Sequence, residues 1–140
     1  HLQICAGASG NAQMIFPARD SHILIDLLIS PLSERVSVLT EIGISALKEV
    51  GNIVVGSYLS ALTAFTGISA FPSTVTLTSG AAKSLITLVF SGFKKKECED
   101  IFLVEAYFSG RKKDLSGKFF IVFDVESIAV ILKKAKSMIN

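Results

Sequence analysis

The stretch that decides the fold is residues 45–63, which read SALKEVGNIVVGSYLSALT. Successive residues of a helix are turned by about 100°, so the small and polar residues here fall in one stripe, roughly 80° wide by the same arithmetic. The members of this polar stripe are Ser45, Glu49, Asn52, Gly56, Ser60 and Thr63. The opposite side is apolar and carries Leu47, Val50, Val54, Ala61 and Phe65. An apolar face of this width needs a sheet or other helices beneath it, which leaves the polar stripe free to meet a partner.

The polar stripe carries one close pair of functional groups. Glu49 and Asn52 are three residues apart, so their side chains project side by side. Gly56 lies one turn further on and has no side chain, so a partner's backbone could come close there. Exposed Glu and Asn are common, and on chemistry alone an ordinary solvated surface is the more frequent explanation. Gly51 and Gly56 weigh against it, because each costs roughly 1 kcal/mol relative to Ala inside a helix.

At these residues the chain resembles the CheC/FliY/CheX family of chemotaxis phosphatases. The resemblance rests on Ser45-x-x-x-Glu49-x-x-Asn52 within the run SALKEVGNI, on Phe65-Thr-Gly67 and on Pro72-Ser73. That family carries Asp or Ser, then Glu, then Asn at this spacing, with a proline downstream. Within the family, the stretch is most similar to the second of the two motifs of CheC.

The resemblance implies a phosphatase that removes the phosphoryl group from the aspartyl phosphate of a CheY-like response regulator. Asn52 would position the attacking water, because an amide both accepts and donates hydrogen bonds without ionising. Glu49 would dock on a lysine of the regulator. Ser45 and Gly56 would support the motif, and Pro72 would shape the turn after the helix. The protein would need no cofactor of its own, since the bound regulator supplies Mg²⁺.

Two other functions stay open at this stage. One is a binding module that docks a response regulator without hydrolysis, or a scaffold domain like that of the flagellar switch protein FliM, which lacks the Glu/Asn pair. The other is a regulatory partner of CheD, the receptor-modifying deamidase that CheC binds. Relatives of the CheX type tend to dimerise, and exposed sheet edges would make a homodimer plausible here as well. Tyr58, at the rear of the helix, is expected in the core rather than in a contact.

Composition indicates one folded domain over residues 1–140. Half of the residues (50%) are hydrophobic and 19% are charged, which supports a sizeable core. A net charge of +2 gives no indication of a nucleic-acid partner. Cys5 and Cys98 have no CxxC spacing, so we expect neither a disulfide framework nor a zinc site, which fits a reducing cytoplasm. The basic clusters 94–96 and 111–113 are expected in solvated loops.

Residues 53–71 are apolar and long enough to be tested as a membrane span. Their Ser and Thr residues lie mostly off the apolar face, whereas a span would be apolar all round. We therefore expect a cytoplasmic protein without a membrane span.

The rest of the chain predicts an α+β fold, a CheC-like two-layer domain with an antiparallel sheet and long helices. Strands are expected at residues 2–6, 12–16, 74–78, 101–108 and 118–123. Helices are expected up to Leu28 with Asp20 or Ser21 as the cap, over 33–41 with Gly43 as a possible break, over 45–66 with Gly67 as the stop, and from Val125 to about Lys136 with Asp124 as the cap. Residues 81–88 fit either a helix or a helix running into a strand.

Two parts of the chain repeat one order of elements, which favours an internal duplication. CheC is likewise built from two similar halves. The first half here lacks a motif helix, so we expect a pseudo-two-fold repeat with an incomplete first copy, either a trimmed CheC-like protein or a one-motif version closer to CheX. The matching features are Ser9-Gly10 with Ser116-Gly117, strand ends at Phe16 and Phe123, and Asp20-Ser21 with Glu126-Ser127 ahead of an apolar helix.

Overall fold

The computed structural model describes residues 1–29, 40–91, 93, 102–109 and 116–139. Within these ranges the chain forms five strands and four helices. The strands are β1 (Leu2–Ala6), β2 (Gly10–Ile15), β3 (Ala70–Pro72), β4 (Phe102–Ser109) and β5 (Ser116–Phe123). The helices are α1 (Ala18–Ile29), α2 (Glu41–Thr66), α3 (Ala82–Leu88) and α4 (Val125–Ile139).

The five strands form one antiparallel sheet in the order β3-β1-β2-β5-β4. The N-terminal hairpin of β1 and β2 and the hairpin of β4 and β5 meet where β2 pairs with β5. Each hairpin is followed by a helix, α1 or α4, as the repeat in the sequence indicates. The predicted α+β class with an antiparallel sheet is confirmed.

The register of β2 against β5 agrees with the predicted internal duplication. Aligning Ser9-Gly10 with Ser116-Gly117 makes Gln13 the counterpart of Phe120. In the sheet, Gln13 is paired with Phe120. A two-fold axis between antiparallel strands requires a residue to pair with its own counterpart, so the register agrees with a pseudo-two-fold axis at this position.

Three partly buried hydrogen bonds cross that axis and tie each helix to the opposite hairpin. The Ser116 N–H donates to Oδ2 of Asp20 on α1 at 2.9 Å, and the Ser116 hydroxyl donates to the same oxygen at 2.7 Å. The Ser9 N–H donates to Oγ of Ser127 on α4 at 2.7 Å. At the offset that relates Ser9 to Ser116, Asp20 corresponds to Ser127, one residue beyond the match with Glu126 expected from the sequence. The contact of Ser116 with Asp20 and the contact of Ser9 with Ser127 are therefore related by the pseudo-two-fold axis.

The prediction that Asp20 or Ser21 caps α1 is wrong. The helix begins at Ala18, directly after Pro17, whose carbonyl accepts from the N–H groups of Asp20 and Ser21. Asp20 is only 5% exposed because its carboxylate serves Ser116 across the sheet instead. The cap predicted for α4 is confirmed, since Oδ1 of Asp124 accepts from the Ser127 N–H at 2.7 Å.

The backbones of β2 and β5 come very close at Gly10. A Cβ at this position would lie 2.2 Å from the carbonyl oxygen of Val122. Only glycine therefore allows the register that the sheet adopts here.

The main core lies between the sheet and the helices α2 and α4. Alternate residues of the strands supply one side of it and the helices supply the other. The strand side chains are Leu2, Ile4, Ala12, Phe119, Ile121 and Phe123, and the helix side chains are Val55, Leu59, Ile128 and Ile131. A smaller cluster on the opposite face joins Phe120 and Val122 to Val89, with Phe90 and Phe93 against it.

The strand predicted over residues 74–78 is wrong, since β3 occupies Ala70–Pro72 instead. Residues 73–79 are irregular, although the Ser73 and Thr76 N–H groups still donate to the carbonyls of Gln3 and His1 beside β1. The alternation does not mark a strand face here, because Val75 is buried at 9% exposure while Leu77, the next apolar residue, is 42% exposed. Residues 82–88 form the helix α3 and turn at 89–91 without a strand.

Some expectations fall outside the described residues. They are the part of the helix expected over 33–41 that precedes residue 40, the basic clusters 94–96 and 111–113, and Cys98. Among the helices that the structure describes, none is long and apolar enough to cross a membrane.

Replacing Asp20 with Asn should flatten the acid limb of the stability profile. Hydrogen bonds from the Ser116 hydroxyl and N–H, with a smaller contribution from Arg19, hold the pKa of Asp20 below its ordinary value. A depressed folded-state pKa stabilises the fold above the unfolded pKa of about 3.9, and this stabilisation is lost as the pH falls through the folded value. Urea unfolding at pH 7, 4 and 3 measures the effect.

Asp26→Asn is the matched control, because it makes the same charge change on α1. Among the described residues Asp26 has no hydrogen-bond partner to lose. We expect the control to keep the acid dependence of the parent protein. An identical profile for Asp20→Asn and the parent would show that the contact with Ser116 adds nothing to stability.

Candidate functional site

The helix α2 is defined at both ends by caps. Thr40 precedes it, and its hydroxyl oxygen accepts from the Gly43 N–H at 3.2 Å. The predicted start at Ser45 is therefore late, and Gly43 is a buried helical residue rather than a break. The predicted stop at Gly67 is confirmed, because this residue is left-handed at φ 71° and its N–H donates to the Thr63 carbonyl. The site residues thus stand within one continuous helix.

The side of α2 that faces the sheet is centred on Val55 and Leu59, which are 0% and 1% exposed. The apolar side predicted from sequence is turned from this direction by roughly 120° on a helical wheel. As a result Phe65, expected to be buried, is 50% exposed. Ala61 is exposed too. The side of α2 that is buried is the side that packs against the sheet. It is not the side that carries the most apolar residues.

The rear of the helix is packed as expected at Tyr58. The Tyr58 ring meets Phe119 of β5 edge-on, with ring centroids 5.9 Å apart and an interplanar angle of 66°. Burial raises the pKa of the Tyr58 hydroxyl. The interpretation of Tyr58 as a core residue is confirmed.

The polar stripe lies on the solvent side of α2. Ser45, Glu49 and Asn52 are all exposed, and Gly56 is partly buried. Among the described residues, neither Glu49 nor Asn52 has a hydrogen-bond or ion-pair partner. Ser45 and Glu49 are one turn apart, but no hydrogen bond joins their side chains within the described part of the chain. The carboxylate and the amide are therefore both available to an incoming group.

A shallow groove of about 340 Å³ continues the polar stripe toward the C-terminal end of α2. It brings Gly56 and Pro72 together, whereas Ser45, Glu49 and Asn52 lie outside it. The full lining is Gly56, Ser60, Thr63 and Ala64 of α2 with Ala70, Phe71 and Pro72 of β3.

Pro72 does not shape the turn after the helix, as its sequence position suggested. It is a residue of β3 and is paired with Ile4 of β1. The chain turns earlier, at Gly67. Pro72 therefore acts in this fold as a wall of the groove.

The two glycines of the motif differ in their surroundings. A methyl group at Gly51 would make ordinary contact with the Val75 side chain at 3.5 Å. At Gly56 an added methyl group would meet nothing within 4 Å. Packing within the described residues thus gives no reason for glycine at position 56, and the space above it is open.

Three apolar side chains near the stripe were missed by the sequence reasoning. Ile42 and Ile53 of α2 are 61% and 57% exposed, and Phe71 of β3 is 62% exposed. The signal for Ile53 was present, because it follows Asn52 directly and lies four residues after Glu49. Phe71 could not be found this way, since its position depends on the strand β3.

The site offers a carboxylate for a cation and an amide for a water molecule or an anion. In the described ranges, no group of three His, Cys, Asp or Glu side chains could hold a metal ion. The exposed Glu-x-x-Asn pair on the capped helix, beside an open groove, forms an open surface rather than the enclosed pocket typical of small-molecule sites.

Residues 42–69 match the family model described as the CheC-like family. The matched range holds the helical residues of the polar stripe and ends just after the cap at Gly67. The match confirms the predicted resemblance and supports membership in the CheC/FliY/CheX family, whose functions lie in chemotaxis. Because the model describes the whole family, the match does not distinguish CheC from its other members. No curated protein matches the chain.

Leu59→Ala should destabilise the protein by about 3 kcal/mol, because a fully buried leucine is removed and leaves a cavity. Ile53→Ala should change the free energy of unfolding by less than about 0.5 kcal/mol, since this side chain is 57% exposed. Urea denaturation of both variants measures the difference. Equal losses would contradict the helix orientation described above.

Gly56→Ala should stabilise the protein by about 0.5–1 kcal/mol. Alanine is the better helix former by that amount, and the space at position 56 is open. Thermal unfolding followed by circular dichroism measures the change. A lower melting temperature would show that the position is more crowded than the structure indicates.

Proposed function

We propose that this protein is a phosphatase that hydrolyses the aspartyl phosphate of a CheY-like response regulator. The observation that carries the proposal is the placement of Glu49 and Asn52, both exposed, on one side of α2. They stand inside the residues that match the CheC-like family. The two side chains are free to enter the active site of another protein, which is what a substrate of this kind requires.

Hydrolysis of an aspartyl phosphate requires few catalytic groups from the phosphatase itself. An aspartyl phosphate is an acyl phosphate and is already activated, and Mg²⁺ bound by the regulator neutralises its phosphoryl oxygens. A water molecule attacks phosphorus, the bond from phosphorus to the aspartate oxygen breaks, and a proton leaves the water. The products are inorganic phosphate and a free carboxylate. Placing the water in line is therefore the main task that remains.

Asn52 suits this task because its amide is neutral. Its oxygen accepts a hydrogen bond from the attacking water, and its NH₂ group donates to a nearby oxygen. A carboxylate at the same place would add negative charge beside the phosphoryl group. With no internal hydrogen bond to break among the described residues, the Asn52 side chain can be inserted without a cost to the fold.

Glu49 suits a docking role. It lies one turn before Asn52, and its carboxylate can pair with a lysine that lines the active site of the regulator. An ion pair of this kind fixes the orientation of the helix and aids the encounter of the two proteins. Its contribution therefore falls on the affinity for the regulator rather than on the hydrolytic step.

The central experiment follows the decay of phosphorylated CheY-type regulator with Mg²⁺ present. Asn52→Ala should lower kcat at least about 100-fold, because the water loses its positioning group. Asn52→Asp should be no better, since it keeps the shape and adds charge. Glu49→Ala should raise KM about tenfold with a smaller effect on kcat.

Glu41→Ala is the matched control for Glu49→Ala. Glu41 is an exposed carboxylate in the first turn of the same helix, so the change in net charge is identical. We expect it to keep full activity, and thermal unfolding should show that all four variants remain folded. A folded parent protein that binds the regulator without speeding its decay would refute the phosphatase activity.

A further inference from the structure

Exposed apolar side chains gather around the polar stripe. Phe71, Ile42 and Ile53 are 62%, 61% and 57% exposed. Among the large hydrophobic side chains that the structure describes, only Met138, at 57%, is as exposed. A single exposed isoleucine is ordinary, but three of the most exposed large hydrophobic side chains border one polar stripe, and apolar surface rimmed by polar residues is typical of interaction sites.

Two of these side chains lie on either side of Glu49. Ile53 is four residues after Glu49 and Ile42 is seven before it, so all three stand in one row along α2. The Glu49 carboxylate is thus bordered by an aliphatic side chain toward each end of the helix.

The third side chain borders the other end of the site. Gly56 is four residues after Asn52 and forms part of the groove floor. Phe71 lines that groove from β3, across from the helix. Asn52 therefore lies one turn before a groove that has an aromatic wall, although Asn52 itself does not line the groove.

This arrangement has the anatomy of a protein–protein interface. Contacts that carry most of the binding energy are commonly surrounded by further contacts that exclude water from them. Water exclusion strengthens an ion pair, because the effective dielectric constant around it falls. Covering an exposed Ile or Phe side chain stabilises the complex further, because apolar surface is removed from water.

We propose that Ile42, Ile53 and Phe71, with the open floor at Gly56, form the docking surface for the regulator whose phosphoryl group reaches Asn52. An apolar segment beside the phosphorylated aspartate of that protein seats in the groove. The proposal rests on the proposed function and adds the contacts that decide which regulator is accepted.

Continuity with the catalytic pair identifies this occupant. A protein that pairs with Glu49 while its phosphoryl group reaches Asn52 also contacts Ile53, because Ile53 is four residues after Glu49 and lies beside it on α2. It must also pass over Gly56, where an added methyl group would meet nothing within 4 Å. A small ligand would gain little here, because the groove is a shallow trough lined largely by small residues.

The test uses a CheY-type receiver domain that carries beryllofluoride and Mg²⁺ as a stable analogue of the aspartyl phosphate. Ile53→Ser and Phe71→Ser should each raise its Kd, and the KM for the phosphorylated domain, by about tenfold while kcat stays within about twofold. Gly56→Leu should act in the same direction, because it fills the groove floor while keeping a good helix former. Asn52→Ala should show the opposite split and lose kcat while Kd stays within a few fold.

Matched controls make the same substitutions away from the stripe. Phe65 is 50% exposed on another side of α2, and Ile86 is 39% exposed on α3. Phe65→Ser and Ile86→Ser should leave Kd and KM within about twofold of the parent values. Thermal unfolding of all variants shows that the changes in affinity come from folded protein.

The outcomes separate the docking surface from the phosphatase activity. Unchanged Kd and KM in Ile53→Ser and Phe71→Ser would overturn the docking surface even if the parent protein is an active phosphatase. Binding without hydrolysis by the parent would refute the phosphatase activity, while the Kd values would still decide the docking surface. A parent protein that neither binds nor hydrolyses would overturn both proposals. A change of molar mass in light scattering for Ile53→Ser or Phe71→Ser would assign the surface to contacts between copies of this chain and would also overturn it.

Discussion

The architecture depends on the pairing of β2 with β5, because this pairing joins the two hairpins into one sheet. The close backbone approach at Gly10 and the crossed contacts of Asp20 with Ser116 and of Ser127 with Ser9 hold it in register. A shift of one residue would turn Phe119, Ile121 and Phe123 away from the core and bring their neighbours in. The surface on which α2 rests would then no longer exist.

The residues that pack α2 onto the sheet and the residues of the candidate site are different. The sheet and α4 accept the buried side of α2, and nothing in that contact involves Glu49 or Asn52. Glu49 and Asn52 face solvent and do not belong to the main core. Substituting them should therefore change the chemistry of the site with little effect on folding. This separation fits a helix whose outer surface is selected for recognition and whose inner surface is selected for packing.

Much of this organisation could be predicted from residue types alone. Spacing placed Glu49 and Asn52 side by side, and Gly67 was recognised as the stop because a left-handed residue was needed there. The true buried direction of α2 could not be read this way, since it depends on which side chains the sheet presents. Asp20 was mistaken for a cap because its real partner, Ser116, is distant in sequence and close only in the folded chain. For the same reason Phe71 and Pro72 entered the site only once β3 was known to lie beside α2.

The two caps of α2 have a consequence for motion. Because Glu49 and Asn52 belong to one hydrogen-bonded helix, their spacing is set by the helical repeat and not by how the sheet and helices sit relative to one another. Slow rearrangements between layers would carry the pair along as a rigid body. The relative geometry of these two side chains should therefore persist through fluctuations that would disturb a site assembled from several loops, and be lost only when the helix itself unfolds.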